Sequence, residues 1–70
     1  MARDKKRDDD RFNCSEKHEF DYVCSLYDCE YKITIETFLE ESCKDNSIKN
    51  STHIDIYKLI EHKLGLPIPN

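Results

Sequence analysis

The chain has 70 residues, 37% of them charged and 37% hydrophobic, with a formal net charge of −4 and one glycine. That length allows one domain and leaves little room for a deep pocket set beside a core of its own. The acidic balance repels phosphate backbones and anionic membrane surfaces, and no apolar run approaches the roughly 20 residues of a membrane span.

The opening MARDKKRDDDR contains no large apolar residue after Met1, so residues 1–11 read as a disordered charged arm. Arg3, Lys5, Lys6, Arg7 and Arg11 against Asp4, Asp8, Asp9 and Asp10 give this arm +1, leaving −5 on the body. Any nucleic-acid contact would fall to Lys5, Lys6, Arg7 and Arg11, where the Asp run largely cancels the basic charge. The N-terminus lacks the apolar stretch of a signal peptide, which makes the cytoplasm the expected address. The triplets Asn13-Cys14-Ser15 and Asn50-Ser51-Thr52 match a glycosylation acceptor, but they carry weight only in a secreted chain and read better as helix starts.

Residues 12–66 form the expected domain, mainly α, with three helices at about 14–28, 34–44 and 52–64. In the first, Asn13 or Ser15 can cap, Glu16 completes a capping-box pattern, and Phe20, Val23, Cys24 and Tyr27 line one face. In the next segment Tyr31, Ile33 and Ile35 alternate in strand fashion, whereas Ile35, Phe38, Leu39 and Cys43 recur at helical spacing. A helix from Thr34 is favoured, with Ile33 and Phe38 as a hydrophobic staple, and a short strand at residues 31–35 is the competing reading. KDNSIKNS reads as a polar connection, because its Asn and Ser side chains compete for backbone hydrogen bonds.

The third helix has the clearest signals. Thr52 can cap, Asp55 stands three residues on, and Ile56, Leu59, Ile60 and Leu64 share a face. Gly65 suits a left-handed stop, Leu66 can make the accompanying apolar contact, and Pro67 blocks continuation. Residues 67–70 read as an extended tail. The body holds sixteen large aliphatic or Phe side chains, a small core for which a dimer, a metal or a disulfide would matter.

Cys14, Cys24, Cys29 and Cys43 show none of the short C-x2-C knuckles of a zinc site. A zinc set of Cys14, His18, Cys24 and Cys29 is conceivable only if the chain folds Cys29 back, and buried apolar thiols are the preferred reading. A catalytic reading would pair Cys24 or Cys43 with His18, His53 or His62. With no Gly-rich loop and no room for a pocket, neither a catalytic residue nor a cofactor is expected. His18 and His62 read as solvated helix-face residues, and His53 as a first-turn residue where the helix dipole disfavours added charge.

Two resemblances follow from these residues. The spacing from Cys14 to Cys24 resembles one half of the twin C-x9-C motif of the coiled-coil-helix-coiled-coil-helix proteins of the mitochondrial intermembrane space, two antiparallel helices stapled by disulfides. The second half departs, since Cys29 to Cys43 is C-x13-C, which on continuous helices puts a Cys14–Cys43 staple about one turn out of register. The resemblance allows disulfides Cys24–Cys29 and Cys14–Cys43. Separately, FNCSEKHEFDYV over Phe12–Val23 resembles the first helix of a family of short bacterial domains of unknown function, I-N-x-x-E-x-[HY]-E-[VL]-x-Y-W. Asn13, Glu16, His18, Glu19, Phe20 and Tyr22 match, and Val23 stands where that family has Trp. This likeness, which covers residues 12–27 at most, implies two further short helices and a closing Leu-Gly like Leu64-Gly65, and no activity.

The leading expectation is a non-enzymatic helical module that binds a protein partner or its own twin through Glu16, Glu19, Tyr22, Glu36 and Glu40. A helix-turn-helix-like nucleic-acid domain and a disulfide-stapled hairpin of the intermembrane space are the alternatives. No membrane, small-molecule substrate or cofactor enters any of these readings.

Overall fold

The computed structural model describes residues 4–69, a mainly helical domain whose helices are α1 (Lys17–Ser25), α2 (Lys32–Lys44) and α3 (His53–Leu64). Short 3-10 turns at Lys5–Arg7 and Cys29–Tyr31 precede α1 and α2. Val23 and Cys24 of α1, Ile35 and Leu39 of α2, and Ile56, Tyr57 and Ile60 of α3 close on Phe12, Leu26 and Ile48 to form the core. The expected apolar stripes are therefore the buried faces. Phe20, Tyr27, Phe38, Leu59 and Leu64 pack as a partly covered rim around them.

The first helix is shorter than residues 14–28. The backbone N–H of Ser15 donates to Asn13 Oδ1 (2.9 Å), and Asn13 Nδ2 donates to Glu16 Oε1 (3.0 Å). The capping residues instead stabilise a turn, offering the backbone an alternative to helix, and α1 starts after an extended Glu16. The second helix starts earlier than Thr34. The 3-10 turn Cys29–Tyr31 runs straight into α2, so residues 31–35 are helical and not a strand. Ile33 is 78% exposed, so it makes no staple with Phe38, while Ile35 is fully buried.

α2 ends in a Schellman-type stop. Asn46 takes a left-handed φ of 58°, its N–H bonds Cys43 O (3.2 Å), and Ser47 N–H bonds Ser42 O (3.1 Å). The third helix matches expectation closely. Thr52 and Asp55 form the reciprocal capping box, and Gly65 closes the helix at φ 73°, its N–H on Glu61 O (3.0 Å).

Residues 4–11, read from composition as a disordered arm, make backbone contacts with the start of α3. The N–H groups of His53 and Ile54 donate to the carbonyls of Asp10 (2.9 Å) and Asp8 (3.0 Å), and an isolated bridge pairs Arg11 with Thr52. The first N–H groups of a helix have no partner within it. Here the N-terminal segment supplies carbonyls for two of them, and Thr52 Oγ1 accepts from a third, Asp55 N–H. Residues 1–3 lie outside the described residues.

Candidate functional site

Two places gather chemically capable side chains: a buried polar cluster under the N-terminal segment, and two shallow clefts beside the cysteines at the open end of the α1–α2 pair.

The buried cluster centres on His53, the first residue of α3, which is 1% exposed. Its Nδ1 lies 2.7 Å from Asp10 O and its Nε2 lies 2.8 Å from Glu19 Oε2. A carbonyl only accepts, so Nδ1 carries a proton and donates. The contact with Glu19 then needs one further proton, held either by the imidazole or by the carboxyl. Arg7 donates to the same Glu19 oxygen at 3.3 Å, and its guanidinium lies 4.1 Å above the Tyr22 ring. Edge-on rings of Phe12 and Tyr22 flank the imidazole. The Tyr22 hydroxyl accepts from Asp4 N–H (3.0 Å).

This arrangement brings together an acid, a base and an orienting carbonyl, but it closes them off. Both imidazole nitrogens are occupied by protein atoms and the ring is shielded from solvent, so the cluster ties the N-terminal segment to α1 and α3. Glu19, expected on an interaction surface, is buried here, and Tyr22 is half-buried beneath Arg7. Arg7, one of the four basic residues available to a nucleic acid, is engaged inside the molecule. The isolated sequence offered no direct signal for this cluster, because Glu19 and His53 sit on different helices at positions that polar surface residues commonly occupy.

At the other site Cys14 and Cys43 form a disulfide with a Cα–Cα distance of 5.9 Å. The register objection raised by the sequence disappears because Cys14 precedes α1 and lies on the Asn13–Glu16 turn, off the helical lattice. The bond ties the entrance of α1 to the last turn of α2. At the opposite end of the pair the Cys24 thiol approaches Lys32 O (3.8 Å), so the two helices run antiparallel. Cys24 is buried and Cys29 exposed, and both are free. Burial, aided by Glu36 and Asp21 and opposed by Lys32, pushes the Cys24 thiol up to about 11 from 9.0.

The suggested zinc set is not assembled. Cys14 is committed to Cys43, and no group of three metal-capable side chains converges among the described residues. Two clefts border the disulfide. One, of about 490 Å³, is lined by Arg11, Phe12, Cys14, Glu19, Cys43 and Lys49 with the amides of Asn13 and Asn46. The other, of about 360 Å³, is lined by Cys14, Ser15, Lys17, Phe20, Glu36 and Glu40. Of the expected surface residues, Glu40 and Glu16 are exposed and Glu36 half-buried; Glu16 pairs with His18 at 2.7 Å.

No protein-family model matches this chain, and neither a curated protein nor a solved structure is similar to it. Among the described residues no helix is long and apolar enough to cross a membrane.

Proposed function

We propose that this chain is a non-enzymatic interaction module whose acidic α1–α2 surface receives a positively charged segment of a protein partner. The observation that carries this reading is the cleft that the partly exposed Phe20 and Lys17 of α1 line together with Glu36 and Glu40 of α2. An apolar residue among charged ones suits a protein-binding patch, whose centre is apolar and whose rim is polar. Charge complementarity would supply orientation and encounter rate more than affinity. The closed state of the Glu19–His53 pair supports a binding role over a catalytic one, since a general base must reach its substrate's proton.

Size-exclusion chromatography with light scattering, followed by pull-down with the wild type and with a Glu36→Lys, Glu40→Lys double variant, tests the proposal. A specific partner, or a second copy, held by the wild type and lost by the charge reversal is the expected outcome. A monomer that captures nothing, or capture indifferent to the reversal, counts against it.

The Cys14–Cys43 bond favours a second reading, a disulfide-stapled helical scaffold of an oxidising compartment, in place of the cytoplasmic address expected from the sequence. Intact mass of protein purified without reductant tests this second reading. The stapled form is two hydrogens lighter than the fully reduced chain, and four free thiols would exclude it.

A further inference from the structure

We propose that the Cys14–Cys43 disulfide is a thiol–disulfide exchange site for small anionic thiols, which the cleft beside it gathers between Arg11 and Lys49. The proposal rests on the disulfide and its surroundings, and stands whether or not the Glu36–Glu40 cleft binds a partner.

The two sulfurs belong to half-buried residues that both line the 490 Å³ cleft, and Cys14 also borders the second cleft. A thiol therefore has open routes to the bond. Arg11 and Lys49 are exposed and both line the first cleft, and among the described residues no carboxylate forms an ion pair with either. The one carboxylate lining the cleft, Glu19, is already held by Arg7 and His53. The first cleft thus gives a chain of net charge −4 a locally cationic entrance to its disulfide, whereas the second, with Glu36 and Glu40 against Lys17, is acidic.

That polarity suits the chemistry. An incoming thiolate RS⁻ attacks the sulfur of one cysteine, the Cys14–Cys43 bond breaks, and a mixed disulfide RS–S forms. The other cysteine leaves as a thiolate and takes a proton from water. A second RS⁻ attacks the mixed disulfide, releasing RSSR and the second cysteine thiolate. Two thiols thereby supply the two electrons that reduce the bond. Negative charge builds on the cysteine sulfurs in both steps, and Arg11 and Lys49 stabilise it while drawing in a reductant with an anionic group of its own. Reduction releases the entrance of α1 from the end of α2.

The experiment exploits a conflict between local and global charge. Oxidised protein is treated with mercaptoethanesulfonate (anionic), mercaptoethanol (neutral) or cysteamine (cationic). Reactions are quenched in acid and followed by mass, with rates expressed per thiolate. The net charge of the chain favours cysteamine, whereas the cleft favours the sulfonate. The expected result at low salt is the order sulfonate, then neutral, then cationic, with about a threefold contribution from each cation that fades at high salt. Arg11→Gln and Lys49→Gln should each shrink the sulfonate's advantage. Equal rates, a faster cationic thiol, or a preference untouched by both substitutions would overturn the proposal. The comparison of thiols and salts on the wild-type protein needs no variant to fold.

Discussion

Glu19 and His53, 34 residues apart in the chain, meet at 2.8 Å beneath the N-terminal segment. The contact joins α1 to α3, and Arg7 and the Asp10 carbonyl draw residues 4–11 into the same network. A segment read from composition as a solvated tail is thus fastened by a buried polar cluster and by carbonyls that complete the start of α3.

Breaking one partner of this cluster should be more damaging than its size suggests. Glu19→Ala leaves the buried His53 Nε2 without its partner and frees the part-exposed Arg7, and a buried polar group stripped of its hydrogen bond costs about 1–3 kcal/mol. Glu19→Gln preserves an acceptor and should cost clearly less. Urea unfolding of both variants checks this, and equal, small losses would show that the cluster contributes little.

The disulfide should contribute strongly. Cys14 and Cys43 are 29 residues apart, and closing such a loop restricts the unfolded chain by about 3–4 kcal/mol. A Cys14→Ser, Cys43→Ser double variant should melt well below the oxidised wild type and at nearly the temperature of the reduced wild type. Coincident melting of all three forms would contradict this.

The free thiols should differ sharply. Cys29 is exposed, while Cys24 is buried and its thiol raised to about 11. Iodoacetamide at neutral pH should label Cys29 promptly and Cys24 only as the protein opens. Comparable labelling of the two in the folded protein would refute it.

Stability should also fall at alkaline pH. The Cys24 thiol ionises near 9.0 when unfolded and near 11 when folded. Its contribution is therefore complete below pH 9 and disappears as the pH climbs from 9 through 11. The upper bound is about 2–3 kcal/mol. Tyr57, also raised, first by burial and then by its neighbour Tyr22, acts in the same direction at higher pH. Cys24→Ala should flatten the 9–11 part of the curve, and an unchanged slope would assign the loss elsewhere.

Gly65 and Asn46 provide a matched pair of backbone tests. A Cβ on Gly65 meets nothing within 4 Å, so Gly65→Ala carries only the left-handed strain of φ 73°, about 1 kcal/mol. Asn46→Gly at φ 58° should be neutral or mildly stabilising, since glycine occupies that region freely. Thermal unfolding that gave the same sign for both would disprove this account.

By itself the sequence determined the helical class, the capping box and Gly65 stop of α3, and most core positions, because helix periodicity and capping are local and repeat within a few residues. Even the early start of α2 has a local cause, the 3-10 turn ahead of it. Tertiary structure alone decided the rest. Cys14 reaches Cys43 because it lies on a turn before α1, a position that spacing on an assumed continuous helix misplaced. Glu19 changes from a surface acid to a buried one only once α3 brings His53 against it. Residues 4–11 supply carbonyls to two N–H groups at the start of α3 that have no partner within the helix. No local pattern can announce a partner that lies more than forty residues away, as His53 does from Asp10.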